Sequence, residues 1–176
     1  MFKFQIPLIK QAQEFHEKPI KLVASPWTAP AWMKSNKNLT GQGSLLPEFY
    51  QTWANYFVKF LDEYKKQGVE FWGLTAQNEP WDGLAPNFPF NAMGWTASMQ
   101  REWIVNNLGP TLEVAGYSDT NLIILDDQRP LAPKWARDVF SDERALKYVK
   151  GKIYLISWKS ENLLPKFYTA YVFIPQ

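Results

Sequence analysis

The chain of 176 residues contains no cysteine and a single histidine, His16. Without thiols there is no disulfide, no thiolate nucleophile and no cysteine metal site. One imidazole argues against a multi-histidine zinc site and against a Ser-His-Asp triad. Charge of one sign is also lacking: 19 basic residues against 17 acidic ones leave a net charge of +2, with no electrostatic footprint for nucleic acid. Long hydrophobic runs are absent too. The longest, residues 153–156 and 171–174, fall far short of the roughly 20 residues a membrane-spanning helix needs. Residues 1–7, Met-Phe-Lys-Phe-Gln-Ile-Pro, lack the apolar stretch and small-residue cleavage site of a secretory signal, so none is read in this chain. Neither a nucleic-acid partner nor a transmembrane segment is expected.

What is present is apolar and aromatic. Hydrophobic residues make up 46% of the chain and charged ones 20%, which fits a globular domain with a sizeable core. Nine Trp, eight Tyr and twelve Phe, 16% of the chain, are its more informative feature. Flat rings fill cores, and they also form the walls of sugar-binding clefts, where the C–H face of a pyranose packs on them.

Along the chain, Leu8, Ile9, Ala12 and Phe15 have the spacing of a short amphipathic helix over residues 7–15, ended before Pro19. Residues 20–24 read as a buried strand bounded by Pro19 and Ser25-Pro26. A loop with Trp27, Thr28, Pro30 and Trp32 follows, and it carries the sequon Asn38-Leu39-Thr40, a glycosylation site at Asn38 only if the chain enters the secretory path. Pro47 opens a long helix whose Phe49, Trp53, Phe57, Phe60, Leu61 and Tyr64 share one face, with Gly68 as its C-terminal cap. Residues 69–75 are rich in aromatic and β-branched types and read as a strand. A long loop, residues 81–95, precedes a helix capped by Thr96 or Ser98 and kinked or broken at Gly109-Pro110. Residues 121–125 form a third strand, residues 133–140 and 142–149 two helices, and residues 152–158 a fourth strand.

Apolar strands alternating with amphipathic helices imply a parallel sheet covered by helices. Function in such folds collects at the carboxyl ends of the strands. Three of those ends carry chemistry-capable residues: Ser25-Pro26-Trp27, Gln77-Asn78-Glu79 and Asp126-Asp127-Gln128. A carboxylic acid such as Glu79, partly desolvated at a strand end, suits protonation of a glycosidic oxygen. Asn78 suits an amide contact to a sugar hydroxyl, Trp27 a stacking wall and Gln128 a further polar contact; Asn78 and Gln128 would equally satisfy backbone groups in tight loops. No cofactor and no metal is needed for this chemistry.

The motifs LVASPWTAPAWMK (22–34), GSLLPEFYQTWANYFVKFLDEY (43–64), LTAQNEP (74–80) and LDDQR (125–129) resemble those of the glucosylceramidases, the acid β-glucosidases of glycoside hydrolase family 30. The resemblance runs from about residue 6 to residue 149. It implies a (β/α)8 TIM barrel with a β-rich side domain, of which this chain would hold about four βα units, the third to sixth strands, without the side domain. Residues 1–149 would be the partial barrel and residues 150–176 a divergent tail with one strand. The implied reaction is hydrolysis of glucosylceramide to glucose and ceramide with retention. Glu79 would be the general acid/base, Asn78 its neighbouring substrate ligand, and Trp27 and Gln128 would line the glucose pocket. A lysosomal setting, an anionic lipid surface and a saposin-type activator are implied as well.

A retaining glycosidase needs a second carboxylate roughly 5 Å from the first. The family's nucleophile is a Glu near the end of the seventh strand, beyond the matched motifs, so no nucleophile is assigned here. Asp126, Asp127 and Glu161 are the carboxylates that could stand in, and Asp126 and Asp127 are weak candidates, because they lie one strand away from Glu79 at a place where the family has no nucleophile. After residue 149 the family shows His-Gly and then a strand ending in His-Trp-Tyr, whereas Lys150-Gly151 to Trp158 keeps only the glycine and the Trp. This chain alone is expected to show no measurable β-glucosidase activity. The alternative is a non-catalytic glycolipid-binding or interaction protein derived from the enzyme. An incomplete barrel would also leave two unpaired strand edges.

Overall fold

The computed structural model describes residues 2–150 and 169–174. Its elements in chain order are α1 (Phe2–Glu14), β1 (Lys21–Pro26), α2 (Tyr50–Lys66), β2 (Gly73–Thr75), α3 (Ala97–Trp103), α4 (Gly109–Val114), β3 (Asn121–Ile123), α5 (Ala132–Val139), α6 (Arg144–Tyr148) and β4 (Thr169–Ile174). The four strands form one all-parallel sheet in the order β3-β2-β1-β4.

Alternation along the strands gives the sheet two different faces. Leu22, Ala24, Leu74, Leu122 and Ile124 pack into the core formed with the helices. Val23, Gly73 and Ile123 meet on the other face, where a Cβ on Gly73 would lie 3.3 Å from the Ile123 side chain and 3.7 Å from that of Val23. Helices outside and residues meeting inside are the arrangement of part of a (β/α)8 barrel.

The strongest element is α2. Trp53, Ala54, Phe57, Phe60, Leu61 and Tyr64 are buried at helical spacing, while Asn55, Lys59 and Lys66 face solvent. The expected start at Pro47 is a 3-10 turn, Pro47–Phe49, that feeds the α-helix. At the far end Gly68 takes φ 75°, its N–H reaches the Lys65 carbonyl at 2.9 Å, and the Val69 N–H reaches Tyr64 at 3.1 Å. That closure is the left-handed glycine cap expected of the sequence. Aromatic rings dominate what α2 covers: Trp103 stacks on Trp95 at 5.0 Å and meets Phe57 edge-on at 5.5 Å, and its indole N–H donates to the Tyr50 carbonyl at 2.9 Å.

Thr96 is the cap of α3, accepting from the Met99 N–H at 3.2 Å. Gly109-Pro110 does not break the chain's helical path. A π-helical turn, Ile104–Leu108, carries α3 into α4 and widens the spiral just before Pro110, where no N–H is available to donate.

Three expectations are corrected. The first helix begins at Phe2 and contains Pro7, and its buried residues are Ile6 and Ile9, whereas Leu8 and Phe15 are exposed. The Tyr64 hydroxyl, bonded to Gln5 at 2.5 Å, ties the added turn to α2. The strands β2 and β3 are three residues each, the three that pair with one another in the ladder, Gly73–Thr75 with Asn121–Ile123. The edge of β1 is not left unpaired: β4 pairs with it over six residues, from Lys21 opposite Thr169 to Pro26 opposite Ile174. Among the described residues the outer edge of β3 has no partner strand. The strand expected over residues 152–158 lies outside the described residues.

Candidate active site

All three strand ends singled out in the sequence converge at one end of the sheet. The first contact is a small polar layer. The Ser25 hydroxyl donates to the Asp126 carboxylate at 2.9 Å and also contacts the Thr75 hydroxyl, which bonds Asp126 as well. Asp126 is buried, and burial pushes its carboxyl up to about 6; the charges of Glu79 and Asp127 add to the rise, and the Ser25 and Thr75 hydrogen bonds oppose it.

Above this layer the backbone after β2 is bonded to both neighbours. The Ala76 N–H donates to the Ile123 carbonyl at 2.9 Å, Asn78 N–H to Pro26 at 3.0 Å, and Glu79 N–H to Asp126 at 3.0 Å. The Gln77 side chain adds bonds to the carbonyls of Trp27 at 2.8 Å and Asn78 at 2.9 Å. Glu79 is therefore pinned between the ends of β1 and β3. It holds φ 38°, and Leu125 and Asp126 hold 70° and 56°, all left-handed conformations that cost a residue with a side chain. Such strain persists only where the surroundings over-determine it, here by two cross-strand bonds.

Trp27, Asn78, Glu79, Asp82, Phe88 and Phe90 line a cleft of about 220 Å³. Its far wall is the loop over residues 81–95, which is locked to the loop after β1. The Gly43 N–H donates to Gly83 at 2.9 Å and the Gly94 N–H returns to Gly43 at 2.8 Å. The approach demands glycine, since a Cβ on Gly83 would sit 2.0 Å from the Gly94 nitrogen. Lys34 completes the lock: fully buried, it donates to the carbonyls of Ala92 at 2.7 Å and Leu39 at 3.1 Å, and burial lowers its ammonium to about 8.

Of the residues expected from sequence, Trp27, Asn78 and Glu79 come together in the cleft. Gln128 lies in the loop after β3, just before the 3-10 turn Arg129–Leu131, is exposed and does not line the cleft. Asn38 is exposed on the loop after β1, with its side-chain oxygen 3.4 Å from the Thr40 N–H. Asp127 accepts from the Trp81 N–H at 3.0 Å and the Gln128 N–H at 2.6 Å, one on each carboxylate oxygen. With Asp126 engaged by Ser25 and Thr75, both aspartates act as struts between strand ends. Glu161 lies outside the described residues.

Asp82 is the residue that sequence reasoning missed. Its N–H donates to the Glu79 carbonyl at 3.0 Å, and its side chain lines the cleft with that of Glu79. Burial, then the charges of Glu79 and Asp127, push its carboxyl up to about 7. The one local signal is its place three residues after Glu79, in Glu-Pro-Trp-Asp. A half-buried glutamate beside an amide and an indole can deliver a proton to an oxygen bound between them. Among the described residues no cluster of His, Cys, Asp and Glu is arranged to hold a metal ion. No helix among them is long and apolar enough to cross a membrane. Two cavities of about 210 and 240 Å³ lie beside Tyr117 near the amino ends of β2 and β3, away from these carboxylates.

The model of the glycosyl hydrolase family 30 TIM-barrel domain matches residues 1–163. Lysosomal acid glucosylceramidase of Mus musculus is 48% identical over 167 residues, which are 93% of this chain and 32% of that protein. Among solved structures, SrfJ from Salmonella typhimurium superposes with a TM-score of 0.76 at 31% identity, covering 86% of this chain and 34% of that one. The endo-β1,6-glucanase BT3312 gives 0.75 at 26% identity, covering 89% and 36%. The chain spans about a third of the length of the curated relatives it matches.

Proposed function

The chain belongs to glycosyl hydrolase family 30, and on that premise we propose that it carries the acid/base half of a retaining β-glucosidase site acting on glucosylceramide or a related β-glucoside. Glu79 protonates the departing glycosidic oxygen and afterwards takes a proton from the attacking water. Asn78 binds a sugar hydroxyl and Trp27 stacks on the ring; Gln128, outside the cleft, is given no substrate contact. The observation that carries this reading is the placement of Glu79: its N–H is bonded to Asp126 while that of the adjacent Asn78 is bonded to Pro26, and it lines a cleft shared with Asn78 and Trp27.

The same reaction needs a nucleophilic carboxylate about 5 Å from the acid/base. Asp126 and Asp127 do not fit, since their oxygens are held by Ser25, Thr75 and backbone N–H groups. The isolated chain should therefore leave a fluorogenic β-glucoside intact. Similarity to the mouse enzyme supports a lysosomal setting. An anionic lipid surface and a saposin-type activator follow from the family resemblance.

The test is a chimera in which residues 6–149 replace the matching segment of the mouse enzyme. Glu79→Gln in that chimera should lower kcat on a substrate with a poor leaving group by about 10²-fold or more. Azide, which needs no general base, should restore turnover of an activated substrate and yield a β-glucosyl azide. Unchanged turnover in the variant would overturn the assignment.

A further inference from the structure

Gln77 is fully buried just before Asn78 and Glu79, and its side chain does not line the cleft. A primary amide carries two N–H donors and one acceptor oxygen. Both donors are used here: Nε2 donates to the Trp27 carbonyl at 2.8 Å and to the Asn78 carbonyl at 2.9 Å. The oxygen has no hydrogen-bond partner among the described residues. A buried acceptor left alone destabilises the fold, so the side chain's contribution lies in its pair of N–H groups. Their acceptors belong to two strand ends. Trp27 follows the last residue of β1, and Asn78 comes after β2. One backbone bond links these ends directly, from the Asn78 N–H to the Pro26 carbonyl at 3.0 Å. A lone bond leaves rotation about itself free, and the amide fork removes that freedom by adding two more fixed points.

We propose that Gln77 is a positioning residue for the sugar-binding pair: its N–H fork clamps the Trp27 backbone to the Asn78 backbone and so sets the spacing between indole and amide. The proposal rests on the reading of Trp27 and Asn78 as substrate contacts. Their side chains enter one cleft from different strand ends, so a shift of one end against the other changes the gap between them. A rigid pyranose ring does not follow such a shift, and binding is lost with it. Glu79 has a tie of its own, the bond from its N–H to the Asp126 carbonyl at 3.0 Å, which the Gln77 side chain does not make. Loss of the fork therefore weakens substrate binding more than proton transfer. An interaction lost equally from ground state and transition state raises KM and leaves kcat in place.

The experiment is kinetic, in the chimera carrying residues 6–149, with 4-methylumbelliferyl β-glucoside as substrate. Gln77→Met keeps the length of the side chain and loses both donors. KM should rise about tenfold or more, kcat should change less than about threefold, and azide should yield no β-glucosyl azide. Trp27→Ala and Asn78→Ala should each raise KM as well, and each should add less in the Gln77→Met background than alone, because the clamp they depend on is already gone. An unchanged KM in Gln77→Met, while Trp27→Ala and Asn78→Ala raise it, would overturn the proposal and keep those two as substrate contacts. Strictly additive effects, or a fall in kcat rescued by azide, would overturn it too. No effect from any of the three would sink both the clamp and the substrate contacts. Should Gln77→Met lose the native near-ultraviolet tryptophan signal, nitrogen-15 NMR of the full wild-type chain decides. Both side-chain N–H protons of Gln77 should then exchange with water at least about tenfold more slowly than those of the exposed Gln128. Equal exchange would refute the clamp.

Discussion

Replacing Asp126 by Asn should stabilise the protein at neutral pH and flatten its pH dependence. Asp126 is buried, and its carboxyl is raised from 3.8 to about 6, first by burial and then by the charges of Glu79 and Asp127. The folded state therefore holds a proton that the unfolded chain has already released. Between about pH 4 and pH 6 the native state binds more protons, so stability falls as pH rises through that window, and the full cost of the ionised group is present above it. At about 1.36 kcal/mol for each tenfold change in proton affinity, the difference amounts to about 3 kcal/mol. Asparagine keeps an oxygen for the Ser25 hydroxyl, offers its amide to Thr75, and tolerates the left-handed φ of 56° at this position. Urea unfolding followed by tryptophan fluorescence, at several pH values between about 4 and 8, gives the wild-type and variant curves. Their difference cancels the distant carboxylates and should grow from near zero at the acid end to about 2–3 kcal/mol in favour of the variant above pH 6. A difference that stays flat across the window, or favours the wild type at neutral pH, would refute the reasoning.

Trp103→Ala removes a fully buried indole stacked on Trp95 and leaves the Tyr50 carbonyl without its donor, so it should cost about 3–5 kcal/mol and move the urea midpoint accordingly; a loss below about 1 kcal/mol would mean that this aromatic cluster is not the centre of the core. Gly83→Ala must push apart two backbones now 2.0 Å from the added Cβ, and should cost about 1–3 kcal/mol while exposing residues 81–95 to limited proteolysis. An unchanged cleavage pattern would show that the two loops are not locked.

Much of the scaffold was legible because its signals are local. The α2 stripe, the Gly68 cap and the Thr96 cap each depend on residues within a few positions of one another, and all three are present where expected. Of the four residues read as the apolar face of the first helix only Ile9 is buried, joined by Ile6, while Leu8, Ala12 and Phe15 are exposed; their spacing fits a helix equally well, and only the packing against the core distinguishes them. The position of β4 beside β1 was invisible for the same reason. An apolar run states that it wants a partner strand, and not which edge it will take.

At the site, sequence alone determined that three polar strand ends would meet, because parallel strands of a barrel deliver their carboxyl ends to one face, and it singled out Glu79, Asn78 and Trp27 there. What only the tertiary structure decided is electrostatic. Asp82, Asp126 and Asp127 are ordinary acidic residues in the chain's order, yet one lines the cleft beside Glu79, one is buried beneath it and one braces the loop that follows. Proton affinity depends on the dielectric and the charges around a group, and those are contributed by β1, β2 and β3 together, across separations of up to 101 residues. No local pattern carries that information until the strands are side by side.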